Sequence, residues 1–266
     1  MKTKIIHKNR EVRFVLGLAG LACVLAASTM ASADQPRSGY EYLQQESRDM
    51  QDDDFLNPGM QSVDAGAELF NQPGNSGESC GSCHGEDGAR LDPERIAMYP
   101  VYDEKLKKTV TLQQRILFEW EERLGNKPMK YDSNEALELE VFVRHLARGK
   151  KVNVQTSGPM QPAYEKGMEI YHTRSGQLDM ACTNCHDVYP GQKIRANTLS
   201  QGQSNGFPVY RLSNGKINGL QSRFNQCYQQ FRAEEMPPGN DDYAALEVYV
   251  NARGNGLPIE TPGVRY

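Results

Sequence analysis

"CTNCH" (182–186) has the same spacing as "CGSCH" (80–84), 102 residues earlier. Both read C-x-x-C-H, the pattern that attaches haem c. The spacing follows from the chemistry: two thiols form thioethers to the haem vinyl groups, and the adjacent imidazole reaches the iron as proximal ligand. A redox C-x-x-C tolerates any following residue, and a zinc site draws two such pairs into one centre. A histidine directly after both pairs argues for haem instead. The expectation is two covalently attached haem c groups, one on Cys80, Cys83 and His84 and one on Cys182, Cys185 and His186, with the two histidines on iron.

Outward from the motifs, the two halves run in parallel. "DAGAELFNQ" (64–72) and "EKGMEIYHT" (165–173) read as short helices before each motif. "LQQR" (112–115) and "LQSR" (220–223) follow at an offset of 108, and "LEVFV" (139–143) and "LEVYV" (246–250) at 107. Leu139, Phe142, Val143 and Leu146 recur at helical spacing. Each copy reads as helix, C-x-x-C-H, loops, helix, loop, helix, which resembles a small class I cytochrome c fold. The predicted class is therefore mainly α, a tandem duplication of cytochrome c-like domains, each around one covalent haem. The halves are 34–154 and 155–266, joined by the polar stretch "GKKVNVQTSGP" (149–159), which reads as a linker.

The first 33 residues read as a secretory signal peptide. Lys2, Lys4, Lys8, Arg10 and Arg13 precede the short apolar run "FVLGLAGLACVLAA", and Ala31-Ser32-Ala33 offers a cleavage site before Asp34. That run is short for a membrane span, and no later segment is apolar enough. Gly20 argues against a lipid anchor at Cys23. Export to the periplasm suits covalent haem attachment. Removing five basic and one acidic leader residue takes the net charge from −4 to −8, which argues against a nucleic-acid partner.

Of the six cysteines, Cys23 leaves with the leader, four belong to the motifs, and Cys227 is left over. Exported proteins usually pair their thiols. A buried thiol packed as a small hydrophobe, an intermolecular disulfide, and an axial or modified sulfur on the second haem are the three readings. Cys227 follows His186 by 41 residues, a separation at which cytochromes bring in a second iron ligand. If 220–231 is helical, Leu220, Phe224, Cys227 and Phe231 share a face that should turn inward, and Arg223 lies one turn before the sulfur. There a guanidinium favours a thiolate and offers a planar fork to an oxyanion.

These residues carry a resemblance to the SoxA family. It covers nearly the whole chain after the leader and rests on "SGYEYLQQESRDMQDDDFLNPGM" (38–60), "SQGQSNGFPVYRL" (200–212), "RFNQCYQQFRAEEMPPGNDDYAALEVYVNARGNG" (223–256) and "TPGVRY" (261–266). The resemblance implies a periplasmic L-cysteine S-thiosulfotransferase. Such an enzyme works with the small c-type cytochrome SoxX and oxidatively joins thiosulfate to a cysteine of the carrier SoxYZ. It further implies that Cys227 is the active-site cysteine, an axial ligand of the catalytic haem carried as a persulfide. Arg223 is then the arginine that holds the anionic substrate.

One position departs from the family pattern. Two-haem members have a second ligating cysteine in the first half, and the repeat alignment puts Glu119 there. Met129, after Pro128 and 45 residues past His84, is the leading candidate for the distal ligand of the first haem, ahead of Glu119 and His145, with no protein ligand the remaining option. Two other functions stay open: a thiosulfate dehydrogenase making tetrathionate, and a two-haem electron carrier. The first would put its catalytic cysteine in the first half, and the second needs neither Cys227 nor Arg223.

Overall fold

The computed structural model describes residues 35–195 and 197–266. The leader, its cleavage point at Ala33/Asp34 and Cys23 lie outside the described residues. Residues Pro36–Tyr266 form one compact unit. After a 3-10 turn at Gly39–Tyr42, the first half runs α1 (Gln45–Asp52), α2 (Met60–Asn71), α3 (Cys80–His84), α4 (Pro93–Ile96), β1 (Val101–Asp103), β2 (Lys108–Val110), α5 (Leu112–Glu122) and α6 (Asn134–His145). The second runs α7 (Gln161–His172), α8 (Cys182–His186), β3 (Lys193–Ile194), β4 (Asn197–Thr198), β5 (Val209–Arg211), β6 (Lys216–Asn218), α9 (Leu220–Phe231), α10 (Asp241–Ala252) and β7 (Gly263–Arg265). Among the described residues no helix is long and apolar enough to cross a membrane.

Each half is built around one helix crossing, α2 on α6 and α7 on α10. Glycine makes both crossings close. A Cβ on Gly66 would sit 2.0 Å from the Glu138 carbonyl oxygen, and one on Gly167 would sit 2.0 Å from that of Ala245. One turn on, aromatic pairs lock the contact, Phe70 with Phe142 and Tyr171 with Tyr249, each at 5.1 Å between ring centroids. The helix after the first hairpin begins where the sequence provides a start. Thr111 caps α5 through the backbone N–H of Gln114, and the Gln114 side chain returns a bond to Thr111, a reciprocal cap.

The hairpins repeat to the residue. Val101, Tyr102 and Asp103 pair with Val110, Thr109 and Lys108, while Val209, Tyr210 and Arg211 pair with Asn218, Ile217 and Lys216, all antiparallel and all 108 residues apart. β7 adds to β5 in parallel, so the chain's last strand closes the second half.

Within 149–159, the first part, 149–154, is not a solvated connector. Gly149 and Val152 donate to the carbonyls of Ile259 and Leu257, Ile259 and Gly256 donate back to Lys150 and Val152, and Val152 and Val154 are both 2% exposed. Alternation explains this: the polar residues of "KVNV" face out while the valines join a core that also holds Val248 and Ile259 from the second half. The N-terminal segment crosses over as well. Arg37 and Asn57 bond to Gln201 and the Pro262 carbonyl, and Gln51 accepts from Val264 and Arg265.

Where the halves meet, a buried polar cluster obeys the same repeat. Gln113 donates to Glu140 at 2.6 Å and Gln221 donates to Glu247 at 3.1 Å, with Asp132 and Arg144 beside them. Burial, then the neighbouring carboxylates, raises Glu140 from 4.5 to about 8, with Gln113 and Arg144 opposing. Glu247 is raised to about 7, mainly by burial. A carboxyl raised on folding keeps its proton where the unfolded chain has lost it, so stability falls as pH rises from 4.5 through about 8. Glu140→Gln keeps an acceptor and has no charge to bury. In urea unfolding at several pH values it is expected to flatten this decline and to exceed the parent at alkaline pH by on the order of 2 kcal/mol. Identical slopes in both proteins would show that Glu140 does not titrate there.

Candidate functional site

The second motif is a single helical turn, α8, which packs on α7. Asn184 accepts from the Ala181 backbone N–H and so fixes the start of the turn. His186 Nδ1 lies 2.8 Å from the Ser200 carbonyl, which assigns the proton to Nδ1 and leaves Nε2 free as a ligand. Gly202, at φ 78°, is pressed against this ring, and a Cβ there would come within 2.9 Å of Cγ. Burial lowers His186 below the usual imidazole range, against the Ser200 bond, and Arg223 and Arg253 add to the lowering. The next residue, Asp187, is tied by Arg253 at 2.6 Å and by the Tyr171 hydroxyl at 3.0 Å, anchoring α8 to α7 and α10.

Cys182, Cys185 and His186 line a cavity of about 1160 Å³. Across it runs α9. Leu220, Phe224, Cys227 and Phe231 all face this cavity, with Phe224 and Phe231 buried, so the inward face expected from spacing is the one observed. Cys227 is close enough to raise the Cys182 thiol electrostatically, a smaller effect than burial. No disulfide joins the five cysteines among the described residues. Arg223 lines the same wall, and its Nη1 donates to Gln226 Oε1 at 3.1 Å. Two thiols and an imidazole with a fixed tautomer, facing a largely apolar cavity, are the donor set covalent haem c requires.

The first motif is also a single turn, α3, started by a reciprocal cap between Ser79 and Ser82. His84 lies 6.2 Å from the Phe70 ring, centroid to centroid, and Cys80 packs against the first core together with Trp120 and Met129. Glu119 is near enough to raise Cys80, after burial, which places it where the alignment put it, opposite Cys227. It is not unencumbered, because Arg115 and Arg123 pair with it at 3.2 and 3.5 Å. His145, the other candidate named from the sequence, commits Nδ1 to the Thr261 carbonyl at 3.0 Å and is half-buried. His172 is exposed at the end of α7.

Two features escaped the sequence reading. The wall opposite α9 includes Tyr42, Leu43 and Met50, supplied by the N-terminal segment, and no local pattern announces such a crossing. Arg211, at the end of β5, also faces the cavity. It donates to Gln226 Oε1 at 3.4 Å and to the Tyr266 main-chain oxygen at 2.8 Å. The 108-residue offset was a signal that could have found it, had the hairpins been aligned as well as the helices.

A mainly helical fold with two C-x-x-C-H turns, the second facing such a cavity, defines a c-type cytochrome carrying covalent haem. Comparison with known proteins narrows the class. The family model described as SoxA/TsdA, cytochrome c domain, matches residues 65–152 and 166–259. The L-cysteine S-thiosulfotransferase subunit SoxA of Pseudaminobacter salicylatoxidans is 41% identical over 234 residues, 87% of this chain and 82% of that one. Its namesake from Paracoccus pantotrophus is 41% identical over 230 residues, 86% and 79% of the two chains. A crystal structure of SoxXA from P. pantotrophus superposes with a TM-score of 0.81 at 40% identity, covering 87% of each chain. The chain belongs to the SoxA/TsdA cytochrome c family.

Proposed function

We propose that this chain is the SoxA-type subunit of a periplasmic L-cysteine S-thiosulfotransferase. The observation that carries the reading is the placement of Cys227 and Arg223, one turn apart on α9, in the wall that faces Cys182, Cys185 and His186. Two haem c groups are held, one in each half, 34–154 and 155–266. Cys80, Cys83 and His84 would hold the first, and Cys182, Cys185 and His186, with Cys227, would hold the second. Met129 is the proposed further residue that would hold the first haem, consistent with its packing against the same core as Cys80 and Trp120.

The substrate is thiosulfate, and the acceptor is a cysteine thiol of the SoxYZ carrier. The conversion forms one S–S bond: a thiol and thiosulfate dianion give a cysteine S-thiosulfonate, one proton and two electrons. A bound haem c supplies the electron-accepting chemistry beside the sulfur, and the SoxX cytochrome takes the electrons onward. The protein's own part is placement and charge. Arg223 offers paired N–H donors to the sulfonate oxygens. Cys227 takes up and passes on sulfur, which splits one difficult transfer into two. Similarity to the named SoxA subunits and to the SoxXA structure supports both the activity and the partner.

Peptide mass spectrometry of protein isolated from its native periplasm without reductant tests this. An added sulfur on the Cys227 peptide, beside two haem-bearing peptides, is the expected result. An unmodified, alkylatable thiol would put the two-haem electron carrier ahead. Thiosulfate turnover that needs no carrier protein and yields tetrathionate would favour the dehydrogenase.

A further inference from the structure

The two halves contain the same hairpin-and-helix unit, and among the charges that differ between them are those around its one shared helix arginine. In the first half Arg115, fourth in α5, is enclosed. It pairs with Asp103 at the end of β1 and with Glu119 one turn on, and its guanidinium lies 5.7 Å from the Phe118 ring centroid. Shifting by 108 residues, the second half keeps the arginine as Arg223 but replaces each of its neighbours. Asp103 becomes Arg211, Phe118 becomes Gln226 and Glu119 becomes Cys227. The matching strand registers and helix starts make this correspondence one of position in space as well as in sequence.

We infer that Arg211 is a second anion-holding residue, which with Arg223 receives the dianionic substrate beside Cys227. The inference rests on the thiosulfate reading of the site and deepens it. Both guanidiniums donate to the same neutral oxygen, Gln226 Oε1, at 3.4 and 3.1 Å. Among the described residues neither forms an ion pair with an acidic side chain, whereas Arg115 has two. Arg211 also donates to the Tyr266 main-chain oxygen at 2.8 Å, but the two half-buried guanidiniums still converge on one neutral amide oxygen, where burial weakens their hydration and each repels the other. The effect registers on Arg211, which burial and then Arg223 pull below the ordinary guanidinium range, with Cys227 opposing. A dianion relieves both charges at once, and a monoanion relieves one. The first half shows the same scaffold with the charge already neutralised by Asp103 and Glu119, so it holds no comparable place for an anion.

The test uses haem-loaded protein with its partner cytochrome and carrier. Sulfate serves as an unreactive dianion in calorimetric titration, and thiosulfate turnover is followed in parallel. Arg211→Gln is expected to raise both the sulfate Kd and the thiosulfate KM by about ten- to a hundredfold, with kcat changed only a few-fold. Arg211→Lys should fall between Gln and the parent, because it restores charge without the planar fork. Arg211→Asp recreates the Asp103–Arg115 arrangement and should lose more than Arg211→Gln. Haem absorption and thermal unfolding of each variant report whether the site still folds. Sulfate Kd and thiosulfate KM within twofold of the parent in a folded Arg211→Gln protein would overturn the inference, as would a fall in kcat with KM unchanged. Failure of the parent to bind sulfate would overturn it too. If sulfate binding weakens in the variants while the parent turns over no thiosulfate, the dianion site stands and the thiosulfate reading falls.

Discussion

Cys227→Ser is expected to lower thiosulfate-dependent reduction of the partner cytochrome, with carrier present, by at least about a thousandfold. Serine fits the half-buried position on α9 and leaves Phe224 and Phe231 to hold the helix against the cavity. What it removes is the sulfur, the one atom there that can accept and release a sulfur group. Haem attachment through Cys182, Cys185 and His186 would not pass through position 227, so haem content by absorbance should be unchanged, while the proposed role of Cys227 on the haem predicts a shifted spectrum. Reduction by a small chemical reductant should persist. Activity close to the parent's would mean that Cys227 is a packing residue and that the chain carries electrons without doing the sulfur chemistry.

The second large effect is on folding. Gly167→Ala would put a methyl 2.0 Å from the Ala245 carbonyl oxygen and 2.9 Å from the Tyr249 Cβ. No side-chain rotation relieves a clash with backbone, so α7 and α10 must separate, and the Tyr171–Tyr249 contact at 5.1 Å loosens with them. The expected loss is about 3 kcal/mol, read as a lower denaturant midpoint, together with a poorer yield of haem-loaded second half. Gly66→Ala should behave alike, since a methyl there meets the Glu138 carbonyl oxygen at the same 2.0 Å. A change below about 0.5 kcal/mol in both, the size of an ordinary surface substitution, would show that the crossings are looser than the structure describes. The two variants also separate the halves. Damage confined to one haem in each case would show that each crossing supports its own site.

Much of this was legible in residues alone. Identical C-x-x-C-H spacing defined the attachment turns because thioether geometry allows little else. Helical spacing in "LEVFV" and "LEVYV", and the shared face of Leu220, Phe224, Cys227 and Phe231, survived into α6, α10 and α9 because amphipathic helices bury the side their sequence marks. Glu119 was correctly placed opposite Cys227, since a repeat preserves register when no residue is inserted between hairpin and helix.

The misreadings share a cause. The stretch 149–159 was polar on average, and only its pairing with 256–259 decided that its valines face a core. His145 was read only as a candidate ligand, and only the returning chain at Thr261 gave its ring a partner. The N-terminal segment belongs with the second half because Gln51 meets Val264 and Arg265 there, a contact between residues more than 200 positions apart. By itself the sequence determined the covalent chemistry and the duplicated helices, since both depend on spacing within a few turns. The tertiary structure decided that a second arginine joins Arg223 beside Cys227, because Arg211 comes from a different element and the two meet only through Gln226.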